Sequence, residues 1–347
     1  MSQQSSSAKP RRTRWVGLTI SVVVLAAIVL GGVVAWQHHE TPEQARLSPD
    51  QGPVIWVDCV LFHPDGKTLV TAQDVTVTLW DAASAKELRS FKAHEGQVIS
   101  LAFSQDGKRL ATASTDRTFK IWDFDKGTEL AVLKGHTASG AAVAFSSDGH
   151  TMATAAGTAN PMRYVIELKL WDGPKPVADL QGHRNVVTSL FFLPDGKTLV
   201  TASRDSTLGI WDVASKKMVK SLDCGAAVSS IALAPDAKTV AAGLYSNEIA
   251  VWDVATWKEK IRLRGHADRV NAVAFSRDGK TLASGSDDRT IKLWDFNTGK
   301  TLTTLEGHKG YVTSVSFGAN GVLASGSADT TIKLWDTAAG KERTTLK

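Results

Sequence analysis

Residues 319–336 read ANGVLASGSADTTIKLWD and close on Trp335-Asp336. The same ending stands at Trp80-Asp81, Trp122-Asp123, Trp171-Asp172, Trp211-Asp212, Trp252-Asp253 and Trp294-Asp295, at spacings of 42, 49, 40, 41, 42 and 41 residues. A period of that length marks stacked structural units rather than independent domains. The second interval, which ends at Trp171, is the long one.

Each unit repeats one pattern. In the sixth and seventh units an apolar stretch, residues 312–317, follows Gly307-His308, and a turn of the type Asp278-Gly279-Lys280 leads to a short strand at 281–284. A second turn holds Asp288, a third strand ends at Trp294, and a fourth runs over 300–305. Runs of four to seven residues rich in Val, Ile, Thr and aromatics, broken by Gly, Asp and Asn, are strand signals. The glycine supplies the backbone freedom of the tight turn. Four strands in each of seven units predict an all-β chain closed into a ring.

With Trp-Asp closing the third strand and Gly-His preceding the first, residues 54–347 resemble the WD-repeat β-propellers. The resemblance implies a seven-bladed propeller of four-stranded antiparallel blades. It also implies a buried network in each blade: Trp indole to a Ser or Thr hydroxyl, hydroxyl to the Gly-His imidazole, imidazole to an Asp. Carried over by position, the network is complete in blade two (His94, Thr112, Asp116, Trp122), blade four (His183, Thr201, Asp205, Trp211), blade six (His266, Ser284, Asp288, Trp294) and blade seven (His308, Ser325, Asp329, Trp335). Blade one keeps Thr71, Asp74 and Trp80 but has Gly52-Pro53 near the Gly-His position. Blade three keeps His136, Thr154 and Trp171 and has no Asp six residues before its Trp. Blade five keeps only Trp252, with Cys224, Ala242 and Ser246 in the other places, and is expected to be the weakest joint. Closure is expected by packing of blade seven on blade one, since 341–346 supplies blade seven's own fourth strand and residues 37–53 offer no extra one.

Ahead of the repeats lie three short segments. Residues 1–14 are polar and basic, with Lys9, Arg11, Arg12 and Arg14 and no acid; residues 15–36, WVGLTISVVVLAAIVLGGVVAW, carry no charge. As a helix the second segment spans roughly 33 Å, enough to cross a hydrocarbon core, and Trp15 and Trp36 suit its two interfaces. A cleaved leader is the alternative, because Val33-Val34-Ala35 resembles a cleavage site, but a leader's apolar core is usually about 7–15 residues. The uncharged segment is therefore expected to be an uncleaved transmembrane helix. The flanking charge predicts a cytoplasmic N-terminus and a propeller outside the cytoplasm, with residues 37–53, containing Pro42, Pro49 and Pro53, as a polar tether.

The charge balance removes one class of partner. Of the formal net charge of +5, four charges precede residue 15, which leaves 36 basic against 35 acidic residues from residue 37 onward. A near-neutral ring gives no electrostatic case for nucleic acid. Cys59 and Cys224 fall in blades far apart in the ring, so no disulfide is expected.

Nothing in the sequence marks a reaction centre. Five of nine histidines sit at the repeated structural positions, and a Ser, His, Asp set recurring in several blades mimics a catalytic triad in composition only. His38-His39 beside Glu40 read as solvated linker residues. No phosphate loop, dinucleotide fingerprint or metal-ligand spacing appears, so no catalytic residue, metal or cofactor is expected.

The loops before the first strand and between the second and third strands share one face in the resembled family. The residues pointing there are Trp56, Gln97, Ser139, Val186, Ala227, Arg269 and Tyr311, with Gln73, Thr115, Arg204, Asp287 and Ala328. Arg269, Tyr311 and Trp56 on adjoining blades have the composition of an interface hot spot, unless Trp56 turns inward. Blade three carries seven extra residues within 157–165, including Met162, Arg163 and Tyr164, expected as a turn insertion that either contacts a partner or has no role. The function expected is a membrane-anchored, non-enzymatic scaffold that binds protein segments on this face, its propeller monomeric. A small-ligand sensor or enzyme using the central channel is the alternative; it needs converging polar groups, and the first strands read mostly small and apolar.

Overall fold

Alternating apolar and polar positions in the first repeat give four strands, Val57–Phe62, Thr68–Gln73, Thr76–Asp81 and Lys86–Lys92, hydrogen-bonded in chain order into one antiparallel sheet. The computed structural model describes residues 55–160 and 163–346, and these form seven such sheets, each from four consecutive strands. Within a sheet the second strand is buried nearly throughout (Thr239–Leu244 and Val322–Ser327 entirely), whereas the fourth is largely exposed. The first strands of successive blades adjoin one another all the way round, blade seven to blade one included.

The apolar side chains collect into seven cores, one between each pair of neighbouring blades. Each core contains the Trp of the later blade: Trp122 meets Leu79 and Val77 of blade one, and Trp211 meets Leu168 and Leu170 of blade three. Trp171, Trp211, Trp294 and Trp335 are at most 1% exposed, and burying a large side chain contributes about 2–3 kcal/mol. Opposite every motif Trp the fourth strand is irregular in register, as between Leu79 and Trp80 or between Leu334 and Trp335. A bulge there bends the outer strand round the large ring.

The few polar residues of the first strands stitch neighbouring blades together. Thr188 Oγ1 donates to Val228 O at 2.8 Å and Asn271 Nδ2 to Val312 O at 3.0 Å, with Ser229 and Thr313 bonding in the same way to Val270 O and Val57 O. The Ser314 hydroxyl accepts from Val60 N at 3.1 Å.

Blade seven keeps its own fourth strand, Lys341–Leu346, and no strand is exchanged with blade one. The core between them joins Val57, Val60, Phe62, Leu69 and Trp80 to Val322, Ala324, Leu334 and Leu346, so the seam is built like the other six interfaces.

Blade three differs from expectation. The extra residues do not form a loop but lengthen both strands, Thr151–Asn160 and Arg163–Asp172, into a ten-rung hairpin paired from Thr151 opposite Asp172 to Asn160 opposite Arg163. Thr, Val, Ile and Tyr near its end favour extended backbone. Met162 and the side chains of Arg163 and Tyr164 lie outside the described residues, as do the three segments ahead of the repeats, the expected membrane span among them. Among the described residues no helix is long and apolar enough to cross a membrane.

Candidate functional site

The second turn of a complete blade is shaped by its Asp. Asp116 Oδ1 accepts from Thr118 N at 2.9 Å and from the Thr118 hydroxyl at 2.6 Å, closing a loop over Arg117, whose φ is 70°. A left-handed conformation disfavours a side-chain-bearing residue, and these local bonds offset that penalty. The other carboxylate oxygen is thereby aimed at the imidazole.

In blade two His94 Nδ1 lies 2.9 Å from Asp116 Oδ2 and Nε2 lies 2.6 Å from Thr112 Oγ1, which accepts from Trp122 Nε1 at 3.1 Å. Blade four repeats this with 2.8, 2.6 and 2.8 Å at His183, Asp205, Thr201 and Trp211. Blade six gives 2.7, 2.7 and 2.8 Å at His266, Asp288, Ser284 and Trp294, and blade seven 3.0, 2.7 and 2.8 Å at His308, Asp329, Ser325 and Trp335. A neutral imidazole that donates from Nδ1 and accepts at Nε2 satisfies every member of the chain. Burial pushes His94, His136 and His308 below the ordinary imidazole range. Burial alone would raise the paired carboxyls, but bonds from Thr118 and His94 hold Asp116 below its usual range, and Asp205, Asp288 and Asp329 are held down in the same way. Each of these hydroxyls accepts from an indole, donates to an imidazole and is 0% exposed, so a substrate cannot reach it.

The three blades without a full set are repaired in different ways. In blade three Glu167, four residues before Trp171, takes the place of the missing Asp: His136 Nδ1 lies 2.9 Å from Oε2, and Thr137 N and Oγ1 donate at 2.9 and 2.8 Å. Thr118, Thr207, Thr290 and Thr331 hold that position in the complete blades, and an acid there is the signal that the search for Asp at one fixed spacing missed. In blade one, Thr71 still accepts from Trp80 Nε1 at 3.0 Å, but Asp74 is not equivalent to Asp116. The turn is one residue shorter, and Asp74 sits at its tip with φ 51°. Blade five packs Cys224 and Ala242, which stand in the vacated positions, with Leu244 and the retained Trp252 in one apolar core. Glu248, again four residues before the Trp, pairs with Arg262 at 3.2 Å and Arg264 at 2.7 Å, while Arg262 also donates to Cys224 O at 3.0 Å. The blade expected to be weakest is therefore differently bonded rather than unbonded. Both cysteines are free, and burial pushes the Cys224 thiol up to about 12.

The proposed face assembles as a set. The residue before each motif Asp donates its N–H to the carbonyl of the residue three after the motif His, as in Thr115 to Gln97, Arg204 to Val186, Asp287 to Arg269 and Ala328 to Tyr311, each at 2.9–3.0 Å. Gly157 to Ser139 and Tyr245 to Ala227 follow the same rule. Tyr245 was missed because blade five has Ser246, not Asp, after it.

Three residues of this set form one constellation. Arg269 Nη2 pairs with Asp287 Oδ2 at 2.8 Å, and its guanidinium lies 4.7 Å from the centre of the Tyr245 ring. Asn271 Nδ2 donates to Asp287 Oδ1 at 2.6 Å, yet burial still pushes the Asp287 carboxyl upward. Tyr311 is 38% exposed, and Ile55, which the sequence did not single out, is 40% exposed. Trp56 is a correction: it is only 6% exposed, because a large apolar ring with room to pack inward is more stable there. Val186 is buried as well, and Gln97, Gln73 and Arg204 are half-buried. Among the described residues no group of His, Cys, Asp and Glu is arranged to hold a metal.

Comparison with known proteins agrees with this architecture. Residues 48–81, 85–123 and 127–158 match the WD domain, G-beta repeat, and residues 187–347 match the second β-propeller of echinoderm microtubule-associated protein. Nuclear distribution protein nudF of Aspergillus flavus is 30% identical over 197 residues, covering 51% of this chain and 32% of that protein. A guanine nucleotide-binding protein subunit beta of Schizosaccharomyces pombe is 42% identical over 69 residues, covering 20% and 22%. The target of rapamycin complex subunit LST8 of Saccharomyces cerevisiae is 41% identical over 56 residues, covering 16% and 18%. The chain thus matches less than a third of the length of each of these relatives. It carries WD40 repeats in a seven-bladed β-propeller.

Proposed function

We propose that this protein is a non-enzymatic scaffold that binds segments of partner proteins on the face carrying Tyr245, Arg269, Asp287, Tyr311 and Ile55. The observation that supports it most is Arg269, already fixed by a tyrosine face and a carboxylate, on the same face as an exposed Tyr and an exposed Ile. Arg and Tyr are the residue types that dominate interface energies, and side chains ordered before contact lose little entropy on binding. Two of the similar proteins are named as subunits, of a guanine nucleotide-binding protein and of a complex. The motif hydroxyls are buried out of a substrate's reach, which favours binding over catalysis.

In this reading residues 15–36 anchor the chain in a bilayer, residues 1–14 remain cytoplasmic and the propeller is extracytoplasmic; reporter fusions at Lys347 test that orientation. The partner surface is tested by cross-linking the full chain in its own cells and quantifying captured proteins. Tyr311→Ala combined with Ile55→Ser is expected to lose most of them at an unchanged unfolding temperature, and an unaltered set of captured proteins counts against the proposal. Arg269→Ala is a poorer probe, since it leaves Asp287 buried without its cation and destabilises the fold.

A second reading has one observation in its favour. An apolar depression of about 380 Å³, lined by residues such as Leu61, Phe103, Phe145 and Phe191, lies where the first strands of blades one to four converge. It suits an uncharged apolar ligand. It has no converging polar side chains with which to run a reaction.

A further inference from the structure

The turn between the first and second strands of blade six is Ser276-Arg277-Asp278-Gly279-Lys280, and Arg277 occupies a position held by Pro64, Gln105, Ser147, Pro194, Pro235 and Ala319 in the other blades. Only here is that residue cationic. The corresponding turn of blade seven, Gly318-Ala319-Asn320-Gly321, is one residue shorter and carries only small side chains at its start. Arg277 reaches beyond it to blade one: Nη2 donates to Pro64 O at 2.8 Å and to His63 O at 3.3 Å.

Gly66, left-handed at φ 71° as its turn requires, also leaves the path of this side chain open. A Cβ at Gly66 would meet the Arg277 Cζ at 2.7 Å, and a Cβ at Gly318 would meet the Phe62 ring at 2.7 Å. The blade-seven turn is itself tied down, Ala319 N donating to Gly66 O at 2.9 Å. On the partner face of the same seam Gln73 Nε2 donates to Ile55 O at 3.2 Å and to Thr330 O of blade seven at 3.4 Å.

We propose that Arg277 is a latch that closes the ring, joining blade six directly to blade one across blade seven and doing by side chain what an exchanged strand would otherwise do. The guanidinium is suited to the task because Nη2 carries two N–H groups, enough for two carbonyls, at the end of a long side chain. Chain termini are where local opening costs least, and the latch bridges the seam where the two ends of the repeats meet.

Hydrogen exchange on the full chain tests the proposal. Arg277→Ala is expected to speed exchange of the first strands of blades one and seven, Val57–Phe62 and Val312–Phe317, by about threefold to tenfold, the range set by loss of solvent-exposed hydrogen bonding. The strand Thr198–Ser203 in blade four should exchange as in the unaltered chain. Arg277→Lys, which keeps the charge on a shorter side chain, should fall between, and it stands in if the alanine variant fails to fold. Arg289→Ala, an exposed arginine in blade six's second turn, is the control and should change nothing at the seam. Unchanged exchange in blades one and seven, or a rise spread evenly over all seven blades, would overturn the latch.

Discussion

A threonine hydroxyl that is 0% exposed beneath an indole and an imidazole is closed to any substrate, and that burial turns a triad-like composition into a structural element. It also makes the fold sensitive to acid. The unfolded chain protonates histidine near pH 6.5, whereas burial lowers the folded values of His94, His136 and His308. Below about pH 6.5 the unfolded chain therefore binds protons that the fold does not, so stability is complete above that value and falls as pH drops through the folded values. Asp116, Asp329 and Glu167, also lowered on folding, add a second loss below about pH 4. Unfolding temperatures measured from pH 8 to pH 4 should be flat at first and then decline from about 6.5; a midpoint unchanged down to pH 5 would show that the imidazoles are not held neutral. The seven tryptophans and the histidines, hydroxyls and carboxylates of the four complete blades were legible in the sequence, because each occupies a repeated position. Trp56 was not, because its outward or inward rotation depends on neighbours that no local pattern specifies.

At the scale of the element, the position four residues before the Trp decides how a blade holds its imidazole. Threonine there supports the Asp of the turn in complete blades; Glu167 replaces that Asp in blade three; in blade five, where Cys224 stands in place of the histidine, Glu248 pairs with arginines. The long blade-three hairpin explains the change, since extending both strands removes the tight turn in which an Asp would sit, and only the longer glutamate on the strand reaches back to His136. Glu167→Ala is accordingly expected to destabilise the protein by about 1–3 kcal/mol, the penalty for a buried group left without its partner. Glu167→Thr should be nearly as damaging although it restores the residue of the other blades, because blade three has no Asp for that threonine to support. Denaturant midpoints decide the matter: a threonine variant as stable as the natural chain would mean that the carboxylate is dispensable. The hairpin itself was not legible, because seven inserted residues fit a loop or two longer strands equally well until the register between Gly157 and Ile166 is known.

For the whole molecule, the number of blades follows from counting Trp-Asp pairs, but the manner of closure depends on contacts between residues some 250 apart in sequence, such as Phe62 N donating to Ser316 Oγ at 3.0 Å. Closure makes the last strand matter far from where it lies. Leu346, 3% exposed, packs in the same core as Val57, Val60 and Trp80 of blade one. In an open array of repeats, loss of a terminal strand frays only the last unit, since each unit contacts only its neighbours in sequence. In a closed ring the last unit has the first as its neighbour. Removing residues 341–347 should therefore raise hydrogen exchange not only in Ile332–Asp336, which pairs with the lost strand, but also in Val57–Phe62 at the opposite end of the repeats. Exposure of that seam should also broaden thermal unfolding, because blades one and seven then open before the remainder. If the truncated chain instead kept full protection in Val57–Phe62 and lost it only in blade seven, the seventh core would be a passive contact and the ring an array with touching ends.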